Sequence, residues 1–375
     1  MGSSERPDGH KRRKVFTTLN SLTMHTSSHS IDESFLEIRG QKWASLTPRA
    51  RARVVDQAFH YWRARGFPYY EPTDRQIQQE FTTLRNKDWQ AVFSGSNLRS
   101  SSTGLRIANA FQPTMWKAKV NRYRTPLDVF LDDHLLRKAI ERALTIWPDR
   151  FGANASCLRR ILKSFPSTAS VSNYRPLVAK AVIGKYSKEG PVVDFSAGYG
   201  GRLLGALSLG KTYIGIEPNR AQTTGFRRMR DVLGGLQFSL PKIEILNGVA
   251  EIELLKLSSQ SAELVFSSPP FFDWEHYSES SRQSFRRFPD YDAWLNGFLK
   301  PVVAESHRIL QSRGFLILNV TNGNRLPSAP DVIEAGKIAG FKLLTFHHMV
   351  FPKIPYLHPR NGQPAKSELL LVFRK

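Results

Sequence analysis

The chain has 375 residues, 41% of them hydrophobic, which is enough for two domains with ordinary cores. Its formal net charge is +22, carried by both halves and densest in the first, and a polyanionic partner such as nucleic acid is the simplest cause. The single cysteine, Cys157, excludes an internal disulfide and a cysteine-rich metal site, and no apolar run approaches the ~20 residues of a membrane span. No metal is expected. The polar, charged start of the chain lacks the apolar centre of a secretory signal. The expected location is therefore intracellular: the cytoplasm of a bacterium or phage host, or the nucleus of a eukaryote.

Residues 1–34 read as a flexible basic tail rich in Ser, Thr and His, with the cluster Lys11-Arg-Arg-Lys14. Such a cluster suits phosphate contacts, a nuclear address or a solvated arm, and the sequence does not choose. Residues 35–165 predict a mainly helical domain. Thr47-Pro48 opens one helix with a capping residue and a first-turn proline, and Pro72-Thr73-Asp74 opens a second. Leu127, Phe130, Leu131, Leu135 and Ile140 recur at helical spacing over 126–147. Residues 94–104 read as a loop of small polar side chains. Beyond them, Trp116, Lys117, Lys119, Arg122, Tyr123 and Arg124 interleave aromatics with cations. That pattern fits a nucleic-acid surface and, equally, a helical core with solvated charges. Lys117, Arg122 and Arg124 are the candidate phosphate contacts here.

From about residue 166 the pattern becomes an alternation of helices and short apolar strands. Strands are expected at 191–195, 213–217, 243–246, 263–267, 314–320, 341–346 and 368–373. Helices are expected at 176–186, 201–209, 219–233, 291–311 and 329–339. Alternation of this kind predicts an α/β fold, Rossmann-like, with a mostly parallel sheet covered on both faces. The last two strands lack a helix between them and should form an antiparallel hairpin.

Two motifs carry the chemistry. Val193-Asp-Phe-Ser-Ala-Gly-Tyr-Gly-Gly-Arg202 leaves a buried strand and enters a helix through glycines that allow a ligand close to the backbone. Leu203 stands where a dinucleotide fingerprint needs its third glycine, and no Gly-Lys-Ser/Thr follows. Glu217 ends the next strand, where an acid can hold ribose hydroxyls. The second motif is Phe266-Ser-Ser-Pro-Pro-Phe-Phe272. Its paired prolines end a strand and leave a rigid loop with aromatic neighbours, fit to hold a flat, amino-bearing ring.

Asp194-Phe-Ser-Ala-Gly-Tyr-Gly-Gly, Glu217 and Ser268-Pro-Pro-Phe271 together resemble the class I S-adenosylmethionine-dependent methyltransferases. More narrowly, they resemble the DNA amino-methyltransferases that modify N4 of cytosine or N6 of adenine. The resemblance covers about residues 171–375. It implies a seven-stranded sheet with its last strand antiparallel, and S-adenosyl-L-methionine as cofactor. Asp194, Ser196, Gly198 and Gly200 would shape the cofactor pocket, Glu217 would hold the ribose, and Asn247 or Glu251 would lie near the adenine. Asn173-Tyr174-Arg-Pro176 would lie against the methionine end.

Ser268 and the Pro269 carbonyl would accept hydrogen bonds from the target amine, Pro270 would stiffen the loop, and Phe271 would stack on the base, with Phe272 or Trp274 beside it. A duplex target must flip out of the stack, at a cost of a few kcal/mol. Cytosine is favoured over adenine, because serine in the first position is commoner among the N4-cytosine enzymes. Carbon-5 methylation is not expected, since Cys157 lies outside any Pro-Cys pair. After the motif, residues 273–287 read as a lid or contact loop, with Arg282, Arg286 and Arg287 near phosphates and His276 and Tyr277 as candidates to line the pocket. Residues 353–363 are a second candidate contact loop. Only about 70 residues separate the two motifs, so site recognition would fall to residues 35–165. Within the expected range are a DNA enzyme of a phage or restriction-modification system, an RNA base methyltransferase, and a catalytically silent nucleic-acid-binding protein.

Overall fold

The computed structural model describes residues 34–38, 40–146, 152–321, 327–351 and 367–375. The tail cluster Lys11–Lys14 and the candidate loop 353–363 lie outside the described residues. Strands β1 (Phe93–Ser94) and β2 (Asn97–Arg99) form a hairpin, and β3 (Lys119–Val120) follows. Then come β4 (Val192–Asp194), β5 (Tyr213–Ile216), β6 (Ile243–Leu246) and β7 (Ala262–Ser267). After a short β8 (Glu275–His276) the chain adds β9 (Leu310–Thr321), β10 (Lys342–Val350) and β11 (Ser367–Arg374).

The main sheet runs in the order β1-β2-β10-β11-β9-β7-β4-β5-β6. Strands β6, β5, β4, β7 and β9 are mutually parallel, and β11 is antiparallel to both β9 and β10. This is the Rossmann-like methyltransferase sheet that the alternation and the resemblance predict, including its antiparallel last strand. The central strands are short apolar runs because both faces are covered: all of β4 is buried, as is nearly all of β7. The helices fall as expected at Pro176–Tyr186, Gly201–Ser208, Arg220–Gly235 and Ala329–Ile338. The helix expected at 291–311 is instead Tyr291–Trp294, a π turn at Leu295–Leu299, and Lys300–Ile309. Pro301 has no N–H for the Gly297 carbonyl, and the helix widens there.

The N-terminal region is mainly helical among its described residues, as expected, but also adds short strands. Its helices Pro48–Arg65 and Asp74–Asn86 form where the caps predict, with Thr47 accepting from Ala50 N–H at 3.3 Å and Thr73 and Gln76 closing a capping box. Residues 94–104, expected as loop, instead supply β2, which pairs parallel with β10 and extends the sheet. Leu98 at its centre is fully buried, yet one apolar residue in three leaves no strand periodicity to read. Ile77, Phe81, Leu84, Ile107 and Phe111 share one core with Leu177, Leu203, Phe226, Phe266 and Leu370. Packing is therefore continuous across the expected boundary at residue 165. A second core holds Trp62, Trp116, Leu136 and Leu158, and reaches Tyr199. Strand β3 pairs antiparallel with β8, which ties residues 119–120 to the loop after Ser-Pro-Pro-Phe. No helix among the described residues is long and apolar enough to cross a membrane.

Candidate active site

The glycine turn is built around a buried ion pair. Asp194 ends β4 fully buried, and its carboxylate accepts from Arg202 Nε at 2.6 Å, Tyr213 Oη at 2.7 Å and Ser267 Oγ at 2.7 Å. Arg202 also donates to the Ser196 carbonyl. A carboxylate so saturated has no lone pair to spare for a ligand, and Asp194 does not line the cavity. Its place is beneath the pocket, holding the turn. Gly200 caps the helix at φ +82°, packed on Phe226 and Met229. At Gly201 a Cβ would sit 2.0 Å from the Tyr174 carbonyl oxygen, so the turn closes only with glycine there. Asn173 locks it by accepting from Gly201 N–H and donating to the Tyr199 carbonyl.

Ser196 and Gly198 line a cavity of about 1770 Å³ at the carboxyl edge of the sheet, whereas Gly200 does not. Glu217 lines it too. Its Oε2 accepts from Gly198 N–H and its Oε1 from Asn219 N–H, both at 3.0 Å. Burial outweighs these two bonds and pushes its pKa up to about 7. Asn247 departs from the expectation. Its amide donates to the carbonyls of Glu217 and Pro218, and it does not line the cavity. Glu251, the alternative, does line it, with Val249 and Ala250.

Opposite Glu217 lies the Ser-Pro-Pro-Phe loop. Ser268, Pro270 and Phe271 line the cavity, while Pro269 is buried behind them. The Ser268 hydroxyl donates to the Asn319 carbonyl at 3.3 Å, which leaves its lone pairs for an incoming donor. Phe272, expected beside the base, turns away: at φ +43° it enters the opposite core against Tyr291 and Trp294. Trp274 packs with the N-terminal helices and does not line the cavity. Tyr277 does line it, whereas His276 stacks on Phe285 at 4.4 Å. Cys157 is fully buried, and burial pushes its thiol up to about 11. It is no nucleophile for this cavity.

The basic residues divide. Arg282 lines the cavity and donates to Asn247 Oδ1 at 3.3 Å. Arg286 pairs with Glu279 at 2.6 Å and Arg287 with Glu251 at 2.7 Å, so both have partners within the chain. Lys117, Arg122 and Arg124 are exposed and do not line the main cavity, and Lys117 borders a separate cleft of about 240 Å³. Trp116 is core, beneath Lys163.

Sequence reading missed a polar cluster on the sheet face toward helix Pro176–Tyr186. Asn319, Thr321 and Glu368 share that face through the β9–β11 register, and all three line the cavity beside Ser268. Asn319 Nδ2 donates to Glu368 Oε2 at 2.6 Å. Asn319 Oδ1, Thr321 Oγ1 and the hydroxyl of Tyr174 are buried without a hydrogen-bond partner among the described residues. Tyr174, the expected neighbour of the methionine end, lines the same wall, edge-on to Phe266. Only the strand pairing brings positions 268, 319 and 368 together. One signal was present: polar Asn319 and Thr321 close an otherwise apolar strand.

No family model and no curated protein matches the chain. Among solved structures, an S-adenosylmethionine-dependent methyltransferase from Methanosarcina mazei is 15% identical, with 55% of this chain and 99% of that one covered at a TM-score of 0.38. A putative methyltransferase from Bacillus halodurans is 14% identical over 52% and 96%, at 0.35. The 1,6-didemethyltoxoflavin N1-methyltransferase of Burkholderia thailandensis, solved with S-adenosylhomocysteine, is 13% identical over 52% and 76%, at 0.35. At such scores the likenesses say nothing about the substrate of this chain.

Proposed function

We propose that this chain is an S-adenosylmethionine-dependent methyltransferase that acts on the exocyclic amine of a DNA base, with N4 of cytosine favoured over N6 of adenine. The observation that carries the reading is that one cavity is lined both by Gly198 and Glu217 and by Ser268, Pro270 and Phe271. Gly198 offers bare backbone, and the buried Glu217 carboxylate offers an acceptor for a diol. These features fit the cofactor's ribose. When bound, S-adenosylmethionine supplies an electrophilic methyl group.

The protein's own task is to make a weak nucleophile competent. An exocyclic amine has its lone pair delocalised into the ring. Ser268 Oγ can accept one of its N–H groups, favour a pyramidal nitrogen and stabilise the charge that develops there. Phe271 offers a face for the ring. Methyl transfer needs no covalent bond to the enzyme. The released proton can pass to water or to the nearby Glu368. The net charge of +22 supports a nucleic-acid substrate. RNA would be held by the same chemistry and is the alternative.

Incubation with labelled S-adenosylmethionine and separate DNA and RNA pools, followed by nucleoside mass analysis, tests the reading. Labelled N4-methylcytosine or N6-methyladenine in DNA is expected. Label only in RNA would move the substrate to the alternative. Ser268→Ala should lower turnover about tenfold to a hundredfold while leaving cofactor affinity unchanged. Parental turnover in that variant would refute the role of the loop.

A further inference from the structure

The cavity continues past the acceptor loop, away from Glu217, and its far end is cationic. Arg160, Lys163 and Arg175 line it there, beside the hydroxyl-rich segment from Phe165 to Ser172. Arg160 and Lys163 lie one turn apart on helix Ala155–Ser164, and Arg175 stands at the start of helix Pro176–Tyr186. The Lys163 ammonium is held over the Trp116 ring at 4.8 Å. Burial, then the charges of Arg175 and Arg159, push its pKa down to about 8. Glu368 acts favourably on Arg175, but among the described residues no carboxylate acts on Lys163.

Thr168 supplies an independent observation. Its hydroxyl oxygen is buried, has no hydrogen-bond partner among the described residues, and the residue lines the same cavity. The segment that carries it is fixed in place. Thr168 N–H donates to the Phe165 carbonyl at 3.0 Å, and Arg124 N–H to the Ser167 carbonyl at 3.1 Å. Tyr123, half exposed, stands at the rim. Lys163 and Arg175, which repel one another, around a hydroxyl with no partner among the described residues favour an anion that accepts several hydrogen bonds at once.

We propose that Arg160, Lys163, Arg175 and Thr168 form a seat for a backbone phosphate of the strand that carries the acceptor base. The identity of the strand rests on the amino-methyltransferase reading, whereas the anion chemistry stands on the cavity itself. The phosphate fixes the strand so that the adjoining base lies along Ser268 and Phe271. Tyr123 offers a stacking face to the next base. This places the phosphate seat on the cavity wall, apart from Arg286 and Arg287.

The test uses the full chain and a fluorescent single-stranded deoxyoligonucleotide, with binding measured by anisotropy over a range of salt. Arg160→Gln with Lys163→Gln should weaken binding and make the slope of log affinity against log salt shallower by about 0.7 for each phosphate no longer neutralised. Arg230→Gln, at a surface pair with Asp231, serves as the control and should match the parent. Lys163→Arg, which keeps the charge, should restore part of the slope. Deoxycytidine monophosphate is the second probe. Binding as tight as the oligonucleotide, abolished in the double variant, would keep the phosphate seat and assign it to a free nucleotide. A parental salt slope in the double variant overturns the proposal. So does a loss confined to S-adenosylmethionine affinity, which would give the cations to the cofactor carboxylate. A salt slope that shifts as expected in a protein that never transfers methyl would keep the seat and refute the enzyme reading.

Discussion

The two ends of the cavity are both charged, yet of opposite sign. At one end Glu217 and Glu251 face inward; at the other stand Arg160, Lys163 and Arg175. Burial acts against charge at each end, pushing Glu217 up to about 7 and Lys163 down to about 8. A charged group kept under that penalty gains most when a ligand of the right polarity arrives. The acidic end suits neutral hydroxyl donors and the basic end an anion. Between them the Ser268 loop is uncharged. The contrast also separates Glu217 from Asp194. Both are buried acids at strand ends, but Asp194 is compensated by Arg202 and Glu217 is left with two backbone donors.

The largest effect should come from removing the compensated acid. Asp194→Ala strands Arg202, which is 5% exposed, inside the fold. Loss of one partner of a buried pair costs about 3–5 kcal/mol, so urea denaturation should shift strongly and cofactor binding should fail with the fold. A variant of parental stability would mean that the turn does not depend on this pair.

Glu217 should behave in the opposite way. Its raised pKa means that the unliganded protein loses stability as pH climbs from the ordinary 4.5 through about 7, where the buried carboxylate is forced to ionise. Hydroxyl donors favour the ionised form, so S-adenosylmethionine should bind more tightly as pH rises through 7. Glu217→Gln should lower that affinity about tenfold or more, abolish its pH dependence and leave the fold intact, as calorimetry across pH would show. A parental pH profile in the variant would remove Glu217 from the cofactor end.

A smaller effect is expected between the two ends. Glu368→Gln takes the charge from the group that accepts from the Asn319 amide and so weakens its hold on it. Acceptor KM should rise up to about tenfold, in line with one charge-assisted hydrogen bond, with cofactor affinity unchanged. Unchanged acceptor kinetics would leave the cluster a structural one.

Much of this was legible along the chain. The seven strands were legible because buried parallel strands are short apolar runs separated by amphipathic helices. The glycine turn and the Ser-Pro-Pro-Phe loop were legible because only glycine lets a chain turn and pack so closely, as at Gly201, and because a proline pair has few backbone alternatives. Strand β2 was hidden, since a three-residue edge strand with one apolar side chain has no period. Asp194 and Asn247 were misplaced for a different reason. Sequence marks an acid or amide at a strand end but not whether its lone pairs are already taken. Phe272 was misplaced because a single positive φ turned it to the other face of the sheet.

The sequence by itself determined the α/β class, the strand order's raw material and the two motifs, because these follow from local backbone chemistry and hydrophobic period. Only the tertiary structure decided which acids stay available, and that Asn319, Thr321 and Glu368 join Ser268 at one wall. It also decided that residues 160–175 bring cations to the same cavity. Those groupings depend on strand register and helix packing across roughly fifty to a hundred residues of chain, distances over which no periodicity in the sequence carries information.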